Sequence, residues 1–302
     1  MEVTKIVGQR LGRNRPEHPP HLDPRVLHFR DFVDAEYIAW LRAKASLPSV
    51  KPFVDWMAAA VKQLGGAGNF GYMLNQILGC CTVSACGHAE QIWTANTGEI
   101  VTIPDSSILT MYEASGYRPQ NPEDPQSNQT DQGWYIQDAL QYMETTGLVD
   151  SKGKVHKIDT FLAVDPQNLD HVDLAIEIGG LVDIGLMLPV TAQAQNDYWQ
   201  AVAGSLEGDG APGSWGGHSI VVAKRSQTPH TWLGDPNPLL LRDGVTWGQG
   251  DWQLFPNFWT LYVDEVWMPV SFDWIEANGT SPSGFNLNAL IAAANALHQG
   301  VK

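Results

Sequence analysis

Two residues of this sequence have the chemistry of a nucleophile and its base, and Cys81 is the first of them. It follows the segment Leu78-Gly79-Cys80 and begins a helical pattern, which places it at a predicted helix N-terminus. The unpaired backbone N–H groups and the dipole at such an end favour a negative charge, so they lower the pKa of a thiol and raise its thiolate fraction. A cysteine in this place is also commonly a small buried residue. The position makes Cys81 a candidate nucleophile.

His218 is the second residue, and it opens the apolar run Ser-Ile-Val-Val after the glycine-rich segment Gly204–Gly217. Glycines let another part of the chain approach closely, and a strand holds an imidazole rigidly. The structural alternative is a strand-edge histidine bonded to a backbone carbonyl. Cysteine and histidine residues that react together are usually distant in sequence, so the two segments together favour a thiol–imidazole pair.

The remaining cysteines and histidines predict neither disulfides nor a metal centre. Cys80 and Cys86 lie within the same seven residues as Cys81, and no second cluster completes a zinc site. We therefore expect no metal and no cofactor, and the cysteine usage is typical of a reducing compartment. Cys86 is predicted to be a packed thiol. His88 and His156 have no partner pattern and are predicted to be structural or exposed.

The elements that must position these residues change character along the chain. Helical patterns run from Cys81 to about Asn96, from Pro104 through Tyr112, and from Trp134 to Thr146. After residue 150, short runs rich in β-branched and aromatic residues predict strands at Lys154–Val164, Leu181–Leu188, Ser219–Ala223, Thr231–Leu233, Leu239–Arg242 and Phe258–Met268. Helices followed by strands indicate an α+β fold with an antiparallel sheet or open barrel. A final helix is predicted over 286–299, and the aromatic run Trp247–Trp259 is predicted to pack in the core.

Composition and charge restrict the partners that we expect. The chain has 302 residues, 43% of them hydrophobic, and a net charge of −15. An acidic protein repels phosphate backbones, so nucleic acid is a poor partner, and no stretch has the run of apolar residues that a membrane helix needs. The start of the sequence lacks a signal-peptide pattern. Residues 1–30, however, are basic and proline-rich, with six basic and three acidic residues.

Several segments of the chain resemble papain-family cysteine peptidases, in the order in which that family carries them over about residues 54–270. These segments are Val54-Asp-Trp, Asn75-Gln-Ile-Leu-Gly-Cys-Cys81, the stretch from Gly133-Trp-Tyr to Gly147-Leu, Gly180-Leu-Val-Asp-Ile-Gly-Leu-Met-Leu188, Gly217-His-Ser-Ile-Val-Val-Ala and Thr246-Trp-Gly248. In the same order, they resemble six segments of the papain family: the mature N-terminus, the nucleophile segment, the second helix, the strand that opens the barrel subdomain, the histidine strand and the end of the Asn-Ser-Trp-Gly motif. The Gly-Gly-His and Thr-Trp-Gly segments resemble more closely a poorly described branch of this superfamily in bacteria and phages.

The resemblance implies a papain-like α+β fold, with a helical left subdomain and an antiparallel β-barrel-like right subdomain. We expect an N-terminal extension over residues 1–50 and the papain-like domain over 51–275. Its helical part would cover about 51–150 and its β part about 151–275, and a C-terminal helix would follow over 276–302.

The resemblance also implies a role for individual residues. Cys81 would be the nucleophile, and His218 would hold the thiolate as an ion pair and then protonate the leaving group. The side chain of the oxyanion hole would be Asn75, where the family has a longer Gln, and Gln76 is the alternative. The residue that orients the histidine is an Asn in the family and aligns here with Val245, which cannot hydrogen-bond an imidazole. Asp235, Asn237 and Thr246 are therefore the three candidates.

Two functions are consistent with these residues. The first is a cysteine hydrolase of peptidase or amidase type, acting on a peptide, a peptidoglycan cross-link or an isopeptide. The second is a catalytically weak or inactive relative with a structural or binding role, for which a cytoplasmic location or a place in a phage particle would fit. The basic arm 1–30 could bind the acidic remainder of its own chain, a second copy or a larger assembly such as a phage particle. A disordered tail and a short inhibitory pro-segment are the other interpretations.

Overall fold

The computed structural model describes residues 9–33, 53–119, 128–202, 204, 206–228, 239–275 and 281–284. The predicted strand Thr231–Leu233 and the predicted helix over 286–299 lie outside these residues. Within them, the α-helices are α1 Met57–Leu64, α2 Cys81–Thr97, α3 Asp105–Glu113, α4 Ile136–Thr145, α5 Leu169–Gly179 and α6 Pro256–Tyr262. The strands are β1 Val54–Asp55, β2 Leu148–Val149, β3 Val155–His156, β4 Ile158–Val164, β5 Val182–Leu188, β6 Tyr198–Trp199, β7 Gly216–Thr228, β8 Leu239–Thr246, β9 Gln249–Leu254 and β10 Val263–Ser271.

One large sheet carries most of the second half of the chain. Its strand order is β4-β10-β5-β7-β8-β9-β6, and β1 pairs with β7 outside this path. All pairs are antiparallel except β6 with β9. The long strand β7 lies in the middle and carries His218 opposite Leu186 of β5. The described strands form an open sheet and no closed barrel, so the α+β prediction is confirmed.

Helix α2 lies at the centre of the molecule, packed against β7, α1, α3 and α4. Every residue from Cys81 to Ala95 is buried, including polar ones such as His88 and Glu90. A helix buried on all sides lacks the polar face of a surface helix. The helix is nevertheless predicted correctly, because its larger apolar residues from Val83 to Trp93 keep a helical spacing and Gly98 marks its end.

Two segments of the second half differ from the sequence prediction. The run Phe258–Met268, predicted as one strand, is divided between α6 and β10. Pro256 stands in the first turn of α6, where its fixed φ favours a helix, and Phe258, Trp259 and Tyr262 are all buried by the helix. Here helix initiation and packing override the β-propensity of aromatic residues.

Helix α5 was not predicted, although it has clear end signals. The side chain of Asn168 accepts a hydrogen bond from the backbone N–H of His171, and Gly180 ends the helix at φ +81°. Its polar residues are buried in ion pairs with the sheet: Arg242 Nε donates to Asp173 Oδ1 at 2.9 Å. Buried charges of this kind interrupt the apolar pattern by which a helix is recognised in a sequence.

No α-helix in the described ranges has both the length and the apolar character needed to cross a membrane. The predicted domain boundaries at residues 50 and 275 fall in or beside segments outside the described residues, and they remain predictions. Residues 9–33 do not stand apart from the body: a short 3-10 turn at Phe29–Asp31 buries Phe29 in the main core.

Candidate active site

Cys81 is the first residue of α2 and is almost fully buried, with 1% of its surface exposed. Its sulfur faces the backbone N–H groups of Ser219, the residue after His218, and of Gly12 in the N-terminal segment. Burial raises the pKa of the thiol to about 12, against the lowering effect of these two N–H groups, and the Asp183 carboxylate adds to the rise. In the state described, Cys81 is a protonated thiol beside the histidine strand.

The His218 ring is buried and oriented by two side chains that come from the end of β8 and the residue after it. Nε2 lies 2.8 Å from Oγ1 of Thr246, and the ring stacks on Trp247 with centroids 4.3 Å apart and planes 16° from parallel. Nδ1 has no hydrogen-bond partner among the described residues. Burial, and next the nearby His88, lower the pKa of His218 to about 3. The ring is therefore neutral and its Nδ1 is available to a reaction partner.

Among the three candidates for the orienting residue, Thr246 is in contact with the histidine. The register of β8 against β9 shifts between Gly244 and Thr246, which is the sign of a bulge. Val245, which the alignment places here, is buried in the core. Asp235 and Asn237 lie in 229–238, outside the described residues.

Asn75 is buried beside the site, and its side chain is already engaged. Nδ2 donates to the carbonyl oxygens of Arg10, at 3.1 Å, and Leu78, at 3.0 Å. The indole Nε1 of Trp247 donates to the same Arg10 carbonyl at 3.2 Å. A carbonyl oxygen of the N-terminal segment thus occupies the place where two side-chain donors converge. Gln76, the alternative to Asn75, has its Oε1 buried without a hydrogen-bond partner in the described part of the chain.

The N-terminal segment 10–14 runs through the site as an extended backbone. Trp134 N–H donates to the Gly12 carbonyl at 2.7 Å, and Asn14 N–H donates to the Trp134 carbonyl at 2.8 Å. On the other side, the N–H groups of Gly12 and Arg13 donate to the carbonyl of Gly217 at 3.2 and 3.1 Å. The segment is paired through its main chain with both walls of the site.

Glycines on both walls allow this close approach. A Cβ on Gly133 would lie 1.9 Å from the Gly12 carbonyl oxygen, and one on Gly217 would lie 2.2 Å from the Arg13 carbonyl oxygen. A Cβ on Gly12 itself would lie 1.8 Å from the Gly79 carbonyl oxygen, immediately before Cys80. Since no side chain larger than hydrogen fits at these contacts, the site is a cleft shaped for a polypeptide backbone.

Charged side chains anchor the segment at both ends. The Arg13 guanidinium is buried, with Nε 3.0 Å from Oε2 of Glu265 and Nη1 2.7 Å from Oδ1 of Asp264. Arg10 pairs with Oδ2 of Asp131 at 3.2 Å, and the same carboxylate accepts the N–H of Gly79. The arginine ion pairs connect residues more than 100 positions apart, so no local pattern in the sequence could have indicated them.

The other sequence predictions for this region have mixed outcomes. Cys86 is a packed thiol that donates to the Thr82 carbonyl at 3.3 Å, and His88 is a buried structural residue 2.9 Å from the Gly71 carbonyl. His156 is buried too, which agrees with a structural role, and it has three carboxylate neighbours that no sequence pattern indicated. Trp247 was predicted to pack in the core, and it does so while also forming one face of the histidine site.

No protein-family model and no curated protein matches this sequence. Among solved structures, the chain is similar to xylellain, a cysteine protease from Xylella fastidiosa, with a TM-score of 0.59 and 13% identity over 87% of this chain and 96% of that one. It is also similar to procathepsin B S9 from Trypanosoma congolense, with a TM-score of 0.54 and 8% identity over 86% of each chain. A digestive procathepsin L2 from the Tenebrio molitor larval midgut has a TM-score of 0.51 and 11% identity, covering 88% of this chain and 79% of that one. At these identities the comparisons show the fold, which is papain-like as the sequence resemblance implied.

Proposed function

We propose that this papain-like chain is a cysteine hydrolase of peptide or amide bonds, held in a closed state by its own residues 10–14. The observation that supports the proposal best is the cleft between Gly133 and Gly217, which pairs with an extended backbone by main-chain hydrogen bonds. Recognition of this kind is suited to a polypeptide, since any extended peptide offers the same N–H and carbonyl groups.

The reaction follows from the atoms that the site leaves free. Once the cleft is open, the Cys81 thiol transfers its proton to Nδ1 of His218, and the thiolate attacks the substrate carbonyl carbon. The Asn75 amide and the backbone N–H of Cys81 stabilise the oxyanion. The carbon–nitrogen bond then breaks, His218 gives its proton to the leaving amine, and water hydrolyses the thioester to release the acid and restore the thiol.

The closed state prevents this reaction in two ways. Burial under the segment favours the neutral thiol and neutral imidazole, as the pKa values of about 12 for Cys81 and about 3 for His218 show. In addition, the Arg10 carbonyl oxygen accepts from Asn75 Nδ2, which is the donor that the oxyanion would need. The segment therefore keeps the thiol and imidazole neutral and occupies the oxyanion donor.

The test is hydrolysis of a mixed fluorogenic peptide library by the chain shortened to begin at residue 16. We expect hydrolysis by the shortened chain, much less by the full chain, and a loss of at least about 1000-fold on Cys81→Ala. Cys86→Ala is the matched control, because Cys86 lies in the same helix with its sulfur bonded to the backbone, and this variant should keep its activity.

If the shortened chain is folded and has no activity on peptides, the proposal of a hydrolase is wrong. The second candidate function is then favoured, which is a papain-like binding protein without turnover. A thiol and an imidazole that stay neutral and buried are consistent with such a protein. Binding of the separate peptide 9–16 to that shortened chain would show that the cleft still recognises a backbone.

A further inference from the structure

Far from Cys81 along α2, three side chains from distant parts of the chain converge in the interior. Glu90 comes from the middle of α2, His156 from β3, and Asp273 from the 3-10 turn Phe272–Trp274 that follows β10. One nitrogen or oxygen atom of each lies within 4.8 Å of the other two. The cluster is about two and a half helical turns from the nucleophile, so it is separate from the proposed active site.

Glu90 is the unusual member of this cluster. It is fully buried, and neither carboxylate oxygen has a hydrogen-bond partner among the described residues. The His156 ring is a direct neighbour, with its Nδ1 3.6 Å from Oε2 of Glu90. A buried carboxylate without hydrogen bonds is costly, so a proton or a cation must be associated with it.

His156 is oriented by a fourth residue, Asp150. Nε2 of the ring lies 3.4 Å from Oδ2 of Asp150, and the other oxygen of that carboxylate accepts the backbone N–H groups of Lys152 and Lys154, both at 2.8 Å. This fixes the ring with Nδ1 directed at Glu90 and Asp273. A carboxylate behind one nitrogen of a histidine, with the other nitrogen aimed at acidic groups, is the arrangement that surrounds metal-bound histidines.

The Asp273 carboxylate is also held in place by neighbouring side chains. Its Oδ1 accepts from Nζ of Lys154 at 2.9 Å, and its Oδ2 lies 2.6 Å from Nδ1 of His156. Each of the three residues thus presents one atom to the centre of the cluster while its outer side is held or enclosed by protein. The charges of these residues also favour a bound cation. Three carboxylates lie near one lysine and one histidine, so a divalent cation together with neutral His156 gives a net charge of zero.

We propose that Glu90, His156 and Asp273 form a binding site for a first-row divalent metal ion, with Zn²⁺ as the preferred occupant. One imidazole and two carboxylates are ligands that zinc accepts, whereas Ca²⁺ and Mg²⁺ favour sites made of oxygen alone. The ion replaces the proton between His156 and Asp273, and these atoms separate to about 3.3 Å around it. Bound there, it connects the middle of α2 to β3 and to the end of β10. No local sequence pattern indicates this site, because its three ligands are spread over more than 180 residues and none is a cysteine.

The experiment is calorimetric titration of Zn²⁺ into the full, untagged chain after treatment with EDTA. All proteins carry Cys81→Ser, so that the thiol–imidazole pair does not bind zinc itself. We expect one Zn²⁺ per chain, and Glu90→Gln should abolish binding. Asp150→Asn should weaken it about 10–100-fold, since that residue only orients the ligand. Glu99→Gln is the matched control, because Glu99 is exposed and lies just beyond the end of the same helix, and it should bind as the parent does.

Glu90→Gln should remain folded, because Gln has the shape of a protonated Glu, and the melting temperature without metal checks this. If Glu90→Gln does not fold, Asp273→Asn takes its place, with the visible absorption of bound Co²⁺ as the readout. The proposal is overturned if the parent binds no Zn²⁺, or if it binds Zn²⁺ equally well after Glu90→Gln or Asp273→Asn. A protonated Glu90 without metal would then account for the cluster.

Discussion

At the scale of single residues, the contact between His218 and Thr246 decides how the site can work. A hydroxyl at this position can fix the ring with Nδ1 free, although a hydroxyl is a weaker partner than the amide of an asparagine. The places of Cys81 at a helix start and of His218 near a strand start after glycines could be predicted from local patterns. The choice of Thr246 over Val245 could not, because it depends on a bulge that shifts β8 against β9.

Thr246→Val should lower kcat about 100-fold in the chain that begins at residue 16, with little change in KM, because a ring without its partner spends most of its time misoriented. Thr246→Ser keeps the hydroxyl and should retain most of the activity. Steady-state kinetics on one peptide substrate measure both. Equal losses in the two variants would show that Thr246 acts through packing and does not orient the ring.

The oxyanion donor is a second prediction at this scale. Asn75→Ala should reduce kcat about 100–1000-fold, because one donor to the developing negative charge is lost. Gln76→Ala is the matched comparison, since the two amides are adjacent in sequence and it is Asn75 Nδ2 that donates to the Arg10 carbonyl. A large loss in Gln76→Ala together with a small one in Asn75→Ala would reverse the assignment.

At the scale of elements, the segment 10–14 behaves as an extra strand between the two walls of the cleft. The sequence indicated that residues 1–30 are basic and extended, and an inhibitory pro-segment was one interpretation. It could not indicate where the segment lies, because its hydrogen bonds join Gly12 to Trp134 and Gly217. Helix α5 shows the same limit, since its buried Asp173 has a partner on a distant strand.

Gly12→Ala should open the cleft in the full chain. The added Cβ would lie 1.8 Å from the Gly79 carbonyl oxygen, and relief of this overlap requires the segment to leave its place. Peptide hydrolysis should rise about tenfold to 100-fold, the size expected for an overpacked contact. Gly98→Ala is the control, because nothing lies within 4 Å of a Cβ at that position. Unchanged activity in Gly12→Ala, in a chain that hydrolyses peptides once shortened, would mean that the segment does not close the cleft in this register.

At the scale of the whole molecule, burial of the site makes the stability of the closed fold depend on pH. The pKa of His218 falls from an ordinary value of 6.5 to about 3 on burial, so the folded state excludes a proton that the unfolded chain binds. The part of the unfolding free energy that depends on a neutral His218 ring is fully present above pH 6.5. It is lost as the pH falls from 6.5 towards 3.

His218→Asn should therefore flatten the pH dependence of the unfolding free energy in this acid range, by up to about 1.4 kcal/mol per pH unit. Urea unfolding at a series of pH values measures the slope. The difference between variant and parent isolates His218, because His88 and the buried carboxylates are present in both. His18→Asn, at an exposed position, is the control and should leave the slope unchanged. An identical slope in His218→Asn and the parent would show that the ring is hydrated in the folded state.

The most direct measurement is the rate at which iodoacetamide modifies each cysteine at pH 6, followed by mass spectrometry of the peptides. In the chain that begins at residue 16, Cys81 should react about 100-fold faster than Cys80 and Cys86, because an ion pair with His218 keeps it a thiolate where an ordinary thiol is protonated. Addition of His218→Ala should remove this difference. If Cys81 reacts no faster than Cys80 and Cys86 in that folded, shortened chain, or equally fast without His218, then Cys81 and His218 are not a catalytic pair.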